Sequence, residues 1–331
     1  MANAQGIITH PAPGKTTAQK KHGTTPARRS KSGTTSSAAP SLPRPTLGTS
    51  NYTPNVRSFR VGNVTFEMVE VQGGTFTMGT TKEQDASYIY KPHKVTLSSY
   101  YIGRTEVTQE LWKEVMNYNP SYFQEGDKRP VVTVTWNDCQ AFISKLNALT
   151  GQNFRLPTEA EWEFAARGGT KSRGYKYSGS NTLDDVAWCK GNSGDNAHDV
   201  ASKHPNELGI YDMSGNASEW CSDWYDLYSS SAQTNPTGPA KGGYRVNRGG
   251  FWNNDAYGYC PSSRDCYDPS SNPPQGAGLR LCMSEKPLLC SVCSRTGCYG
   301  TLRRLRGMKI PYTNQQRQPS SLRVASVGFC I

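Results

Sequence analysis

From residue 170 to residue 284 the chain is dense in Gly, Asn, Trp and Tyr and shows neither a long helical period nor a long strand alternation. A segment of that kind buries a core only by packing short strands beneath long structured loops. The regular elements are concentrated before it. Val64–Val71 alternates apolar and polar residues at period two and reads as a half-buried strand. Gly73-Gly74 then reads as a turn, with 75–79 returning as the second arm of a hairpin. Residues 94–102 read as one further strand and 131–134 as a short one. Thr108 is placed to cap a helix over Gln109–Met116, with Leu111, Val115 and Met116 on one face. A second helix is expected over 137–149, closed by Gly151, with Ala141, Phe142, Leu146 and Leu149 at helical spacing. Thr158 and Glu161 form a capping box for a third, which Gly168-Gly169 ends. The fold class is α+β, with few helices, short strands and long structured loops.

The formal net charge of +11 sits at the ends of the chain. Residues 1–60 hold nine Lys/Arg and no acid, and residues 285–331 hold eight Lys/Arg and one acid. The remainder, 61–284, is therefore mildly acidic at −5. No aromatic residue interleaves the basic ones before Tyr52, so the basicity reads as solvated tail and no nucleic-acid partner is expected. Residues 1–55 are rich in Thr, Ser, Pro, Ala, Gly and Lys and bury too little to offset their ordering entropy. The expected organisation is a disordered basic arm over 1–60, a globular domain over 61–284 and an unstructured basic, Cys-containing tail over 285–331. No run approaches the ~20 apolar residues of a membrane span, and none has the form of a signal peptide. The sequence does not assign a compartment.

Of ten cysteines, six are scattered over a domain large enough to make its own core, so a disulfide framework is not required, and four lie in the tail. In the tail, Cys290-x-x-Cys293 with Cys298 is a zinc-like fragment without a fourth ligand at ordinary spacing.

Seven motifs carry a family resemblance. They are Glu70-Val-Gln-Gly-Gly-Thr-Phe-Thr-Met-Gly79, Thr105-Glu-Val-Thr108 and Pro130-Val-Val-Thr-Val-Thr-Trp136, then Arg155-Leu-Pro-Thr-Glu-Ala-Glu-Trp-Glu-Phe-Ala-Ala-Arg167. After these come Gly209-Ile-Tyr-Asp-Met-Ser-Gly-Asn-Ala-Ser-Glu-Trp220, Arg248-Gly-Gly-Phe-Trp252 and Gly278-Leu-Arg-Leu281. Order and content together resemble the formylglycine-generating enzyme, or sulfatase-modifying factor, family. That resemblance implies a variant of the C-type lectin fold. It also brings three known activities: copper-dependent oxidation of a substrate cysteine, iron-dependent sulfur–carbon bond formation, and pure binding.

The oxidase needs two thiolates for soft Cu(I), five residues apart after the Gly-Gly of the Arg-Gly-Gly motif. Counted from Gly249-Gly250, those positions are Asn254 and Tyr259, and neither supplies a thiolate. Copper is therefore not expected. Cys260 and Cys266, or Cys260 with Cys282, remain as a rearranged pair. Iron needs imidazoles, and His93, His198 and His204 show no metal-binding spacing. For calcium, the resemblance implies a structural site in the loop Asp212–Glu219. Its ligands would be the side chains of Asp212 and Glu219 and the carbonyls of Gly215 and Ala217, hard oxygen donors that suit the ion.

Trp136, Trp162, Trp188 and Trp220 read as core aromatics, as does Trp252, which opens the site loop and is also kept as a ligand contact. Residues 253–275 are polar and rich in Tyr, Ser, Asn and Gly, with no Lys, Glu, Met or Trp. Adaptable paratopes use such a composition. The layout is also similar to the variable proteins of diversity-generating retroelements, which vary a C-terminal segment of a lectin-type scaffold. The expected function is a binding protein that presents Trp252, Asn253, Asn254, Asp255, Tyr257, Tyr259, Arg264, Asp265 and Tyr267 to a protein or glycan. The alternative is the copper-dependent oxidase with a rearranged cysteine site.

Overall fold

The computed structural model describes residues 53–80, 91–124, 126–254, 256–271 and 273–285. The arm before residue 53 and the tail after residue 285, with its zinc-like fragment, lie outside the described residues. Among the described residues no helix is long and apolar enough to cross a membrane.

In chain order the first strands are β1 (Val56–Val61), β2 (Val64–Val71), β3 (Gly74–Met78), β4 (His93–Leu97) and β5 (Tyr100–Gly103). Helices α1 (Gln109–Met116), α2 (Trp136–Thr150), α3 (Glu159–Ala166) and the single turn α4 (Leu183–Val186) follow. Short strands complete the chain: β6 (Ser218–Trp224), β7 (Gln233–Thr234), β8 (Arg245–Arg248), β9 (Asp265–Tyr267), β10 (Ala277–Gly278) and β11 (Cys282–Ser284). They form three sheets, ordered β1-β2-β5-β11, β10-β6-β8-β9 and β3-β4-β7. This is the α+β architecture expected, with few helices and many short strands.

Several expectations need correction. The domain starts at Val56, ahead of residue 61, because β1 pairs antiparallel with β2 from Val56 opposite Val69 to Val61 opposite Val64. Arg57 and Arg60 are therefore exposed strand residues, and the Arg57 guanidinium lies 4.1 Å from the Tyr101 ring centre. The 64–79 hairpin does not form: β3 pairs with β4, and β2 with β1 and β5. At Gly73 an added Cβ would stand 2.5 Å from the Leu97 carbonyl oxygen, so this crowded glycine passes the chain from one sheet to the next. Residues 94–102 are likewise two strands in different sheets, broken at Ser98-Ser99, where Ser99 Oγ accepts from the Gly73 amide at 3.0 Å. Residues 131–134 are buried but not a strand. Their amides donate to Val107 O, Ser121 Oγ and Ala277 O, three separate segments.

The helices form where their caps place them. Thr108, Thr135 and Thr158 accept at the three N-termini, the last two as capping boxes. On α2 the buried face is Cys139, Phe142, Ile143 and Leu146, while Ala141 and Leu149 face outward. In α3 all eight residues are buried, including Glu159, Glu161 and Glu163. Ionised carboxylates survive there only with partners. Arginines supply them: Arg155 pairs with Glu161, Arg167 and Arg248 with Glu163, and Arg248 and Arg264 with Glu159. An acidic helix thus lies at the centre of the domain, and arginines from other segments converge on it.

Candidate functional site

The site loop leaves β8 through Gly249 and Gly250, whose φ values of +92° and +68° only glycine adopts without strain. A Cβ at Gly249 would stand 3.1 Å from the Trp162 ring, so the chain turns closely over that indole. Trp252 then points inward. It is 2% exposed, its amide donates to Asn216 O and its carbonyl accepts from Ser193 Oγ at 3.0 Å.

Asn254 and Tyr259, the positions at which the family resemblance places thiolates, close the loop on itself. Asn254 Oδ1 accepts from the Phe251 amide at 2.7 Å, and the Asn254 amide donates to Phe251 O at 2.9 Å. The Tyr259 hydroxyl lies within hydrogen-bond reach of the carbonyls of Asn254 (2.5 Å) and Phe251 (3.1 Å). A 3-10 turn over Ala256–Tyr259 joins the two residues, and Ser214 Oγ fixes the Tyr259 carbonyl at 2.8 Å. Hydrogen-bonding groups fill both positions.

Beneath the loop, Arg248 donates to the carbonyls of Pro261 and Ser263 and to Glu163. Its Nε lies 3.2 Å from Glu159 Oε1, an ion pair without hydrogen-bond geometry. Arg264 forks onto both oxygens of Glu159 and lies 3.9 Å from the Tyr228 ring centre. A fully buried arginine thus holds the loop by its backbone.

The expected ligand face is only partly at the surface. Trp252, Tyr259 and Arg264 are buried, because each completes the packing or the hydrogen bonds that hold the loop. Asn253 and Asp265 are exposed, and Asn254 and Tyr267 are half-buried. Asp255 and the side chain of Tyr257 lie outside the described residues. Cys260 is buried and Cys266 is half-buried in β9. Burial, then the Asp265 charge, pushes the Cys266 thiol up, the opposite of an activated thiolate. Cys282 is also raised, by burial and Glu161. His93 packs on Tyr228, while His198 stacks on Trp188 with ring centres 3.6 Å apart.

A second polar centre underlies the loop Asp212–Glu219. Both Glu219 oxygens are engaged, by Arg280 Nε and Nη2 and by Trp162 Nε1 at 2.6 Å. Asp212 Oδ2 accepts from the Ala201 amide at 2.7 Å, while its buried Oδ1 has no hydrogen-bond partner. Glu106, which sequence reasoning quoted only within a motif, joins them and accepts from Asn216 Nδ2 and the Ala217 amide. Burial, then the charges of Asp212 and Glu219, pushes Glu106 well above the carboxylate range. Burial and Glu219 push Asp212 up to about 6. Three carboxylates thus face one guanidinium. For a hard cation the negative excess and the open Asp212 oxygen fit, whereas Glu219 already holds Arg280. Among the described residues no group of three His, Cys, Asp or Glu is arranged around a metal-sized point.

Comparison with known proteins accords with this architecture. Residues 56–285 match the sulfatase-modifying factor enzyme 1-like domain. The chain is 37% identical over 243 residues to chaperone protein LppX of Paenibacillus barcinonensis, a match covering 58% of this chain and 81% of that protein. It is 36% identical over 164 residues to the formylglycine-generating enzyme of Streptomyces coelicolor, covering 45% of this chain and 50% of the enzyme. Among solved structures, Treponema denticola variable protein 1 superposes with a TM-score of 0.64 at 35% identity, over 70% of this chain and 100% of that one.

Proposed function

The chain belongs to the sulfatase-modifying factor enzyme 1-like family, and from that premise we propose that it is a binding protein whose loop over 253–275 meets a protein or glycan. The closed turn between Asn254 and Tyr259 carries this reading. Oxidation of a substrate cysteine through Cu(I) needs two thiolates there, and the turn offers a carboxamide and a phenol already hydrogen-bonded to the backbone. Likeness to Treponema denticola variable protein 1 supports reading 253–275 as a variable segment. The exposed Asn253 and Asp265 and the half-buried Tyr267 are the contacts, with Asp255 and Tyr257 beside them in sequence. Trp252, Tyr259 and Arg264 set the loop's shape.

The experiment has two arms. Screened on glycan and cell-surface protein arrays, the wild type shows saturable capture. The triple variant Asn253→Ala, Asp265→Ala, Tyr267→Ala loses that capture, and Cys260→Ser with Cys266→Ser keeps it. Incubated with Cu(I) and a cysteine-bearing peptide, the protein yields no aldehyde by mass spectrometry. Aldehyde formation together with one tightly held Cu(I) per chain would overturn the proposal.

Calcium forms a separate part of the reading. The unpartnered Asp212 Oδ1, within a cluster of excess negative charge, supports a structural Ca²⁺ held by Asp212 with the carbonyls of Gly215 and Ala217 and a share of Glu219. Added Ca²⁺ should raise the melting temperature, and Asp212→Asn should remove that rise. A wild type that does not respond to Ca²⁺ rules the site out.

A further inference from the structure

The end of β6, the first turn of α3, the segment 236–239 and Arg264 border an open cavity of about 520 Å³, within the range of small-molecule sites. Met78, Trp224, Leu227, Pro236 and Pro239 contribute to its walls. Asp223 lines it too, although the residue as a whole is only 4% exposed. Asp223 Oδ2 accepts from the Glu159 amide at 3.0 Å and from Ser222 Oγ at 2.9 Å. Oδ1 accepts no hydrogen bond, and the carboxylate has no ion-pair partner, among the described residues. The guanidinium in the same wall, Arg264, is engaged with Glu159 and the Asp226 carbonyl.

Gly238 keeps the carboxylate uncovered. Its φ is +71°, and a Cβ there would stand 2.9 Å from Asp223 Cβ and 3.2 Å from Oδ1. A buried carboxylate with no ion-pair partner among the described residues, facing an open cavity of mixed polar and apolar walls, has room for a counter-ion.

We propose that this cavity binds a small molecule carrying a protonated amine on an apolar body, the ammonium pairing with Asp223 and the body lying against Met78, Leu227 and the two prolines. Among the described residues of 253–275, Arg264 alone lines the cavity, and the proposed contacts Asn253, Asp265 and Tyr267 do not. Burial, then the Glu159 charge, pushes Asp223 up to about 7, so much of it is protonated at neutral pH in the empty cavity. An ammonium draws Asp223 to the carboxylate and releases its proton, and binding strengthens as pH rises through 7. The other titratable or charged groups around the cavity are Glu159, Asp226, His93, Tyr228 and Arg264. Of these, Glu159 and Arg264 are paired with each other, and Arg245, bound to the Ser222 carbonyl, also lies in the field of Asp223 without an ion pair to it.

The test titrates the full chain with 2-phenylethylamine, neutral 2-phenylethanol and anionic phenylacetate by ligand-observed NMR. The amine binds saturably at one site per chain, and the other two do not. Asp223→Asn keeps the acceptor for the Glu159 amide and weakens amine binding about tenfold or more. Thr237→Trp, at an exposed rim position that makes no hydrogen bond among the described residues, fills the mouth and abolishes binding. Should Asp223→Asn fail to fold, Thr237→Trp decides. Equal binding of the alcohol, wild-type amine binding in Thr237→Trp, or no amine binding at millimolar concentration overturns the proposal.

Discussion

Replacing Arg248 with methionine is expected to cost about 3–5 kcal/mol of stability, because it leaves buried carboxylates short of a partner. Arg248 is fully buried and pairs with Glu159 and Glu163 on α3. It also fixes the carbonyls of Pro261 and Ser263. Two effects should therefore appear together. The denaturation midpoint falls, and amide exchange quickens across 251–263 beyond what global destabilisation explains. Arg248→Lys keeps the charge but loses the planar fork, so it should fall between the two. If stability drops while loop exchange follows only the global change, the clamp assigned to Arg248 is wrong.

Arg280→Met should be comparably severe, again about 3–5 kcal/mol, for a different reason. Among the described residues Arg280 is the guanidinium facing Glu219, Asp212 and Glu106, and it also donates to the carbonyls of Gly103 and Tyr211. Its loss leaves three carboxylates without a cation. Glu219→Gln should partly rescue Arg280→Met, giving a clear coupling energy in a double-mutant cycle. The pH dependence has a definite sign. Glu106 and Asp212 are raised in the folded protein. They therefore disfavour folding once deprotonated, and the defect of Arg280→Met should shrink as pH falls from 8 toward 5. A defect independent of pH and unrelieved by Glu219→Gln would mean that Arg280 acts through packing alone.

Much of the fold was legible because its signals are local. Thr108, Thr135 and Thr158 each precede a helix, and Asn117 and Gly151 close α1 and α2 in left-handed conformations. What failed was long-range. Gly73-Gly74 looks like a hairpin turn from its neighbours alone, yet the crowded contact with Leu97 decides its course. The basic residues of β1 disguise a strand that a partner strand reveals. At the site, the count from Gly249-Gly250 to Asn254 and Tyr259 runs along the chain and so is local too. The inward turn of Trp252, Tyr259 and Arg264 depends on Ser193, Asn216, Ser214 and Glu159, which lie far away in sequence. A run of Tyr, Ser and Asn shows what a surface can be made of, not which of its members face water. Glu106 carried no signal beyond its motif, because its partners arrive 110 residues later.

The acidic helix α3 also bears on how the domain is made. Glu159 and Glu163 meet Arg264 and Arg248 across separations of 105 and 85 residues. A nascent chain that has completed α3 but not these arginines holds a helix that it cannot yet bury. Closure of the centre must then wait for the last third of the domain, a high contact order that slows folding and prolongs exposure of apolar surface. Sequence changes confined to the outer side chains of 253–275 leave that final docking step untouched.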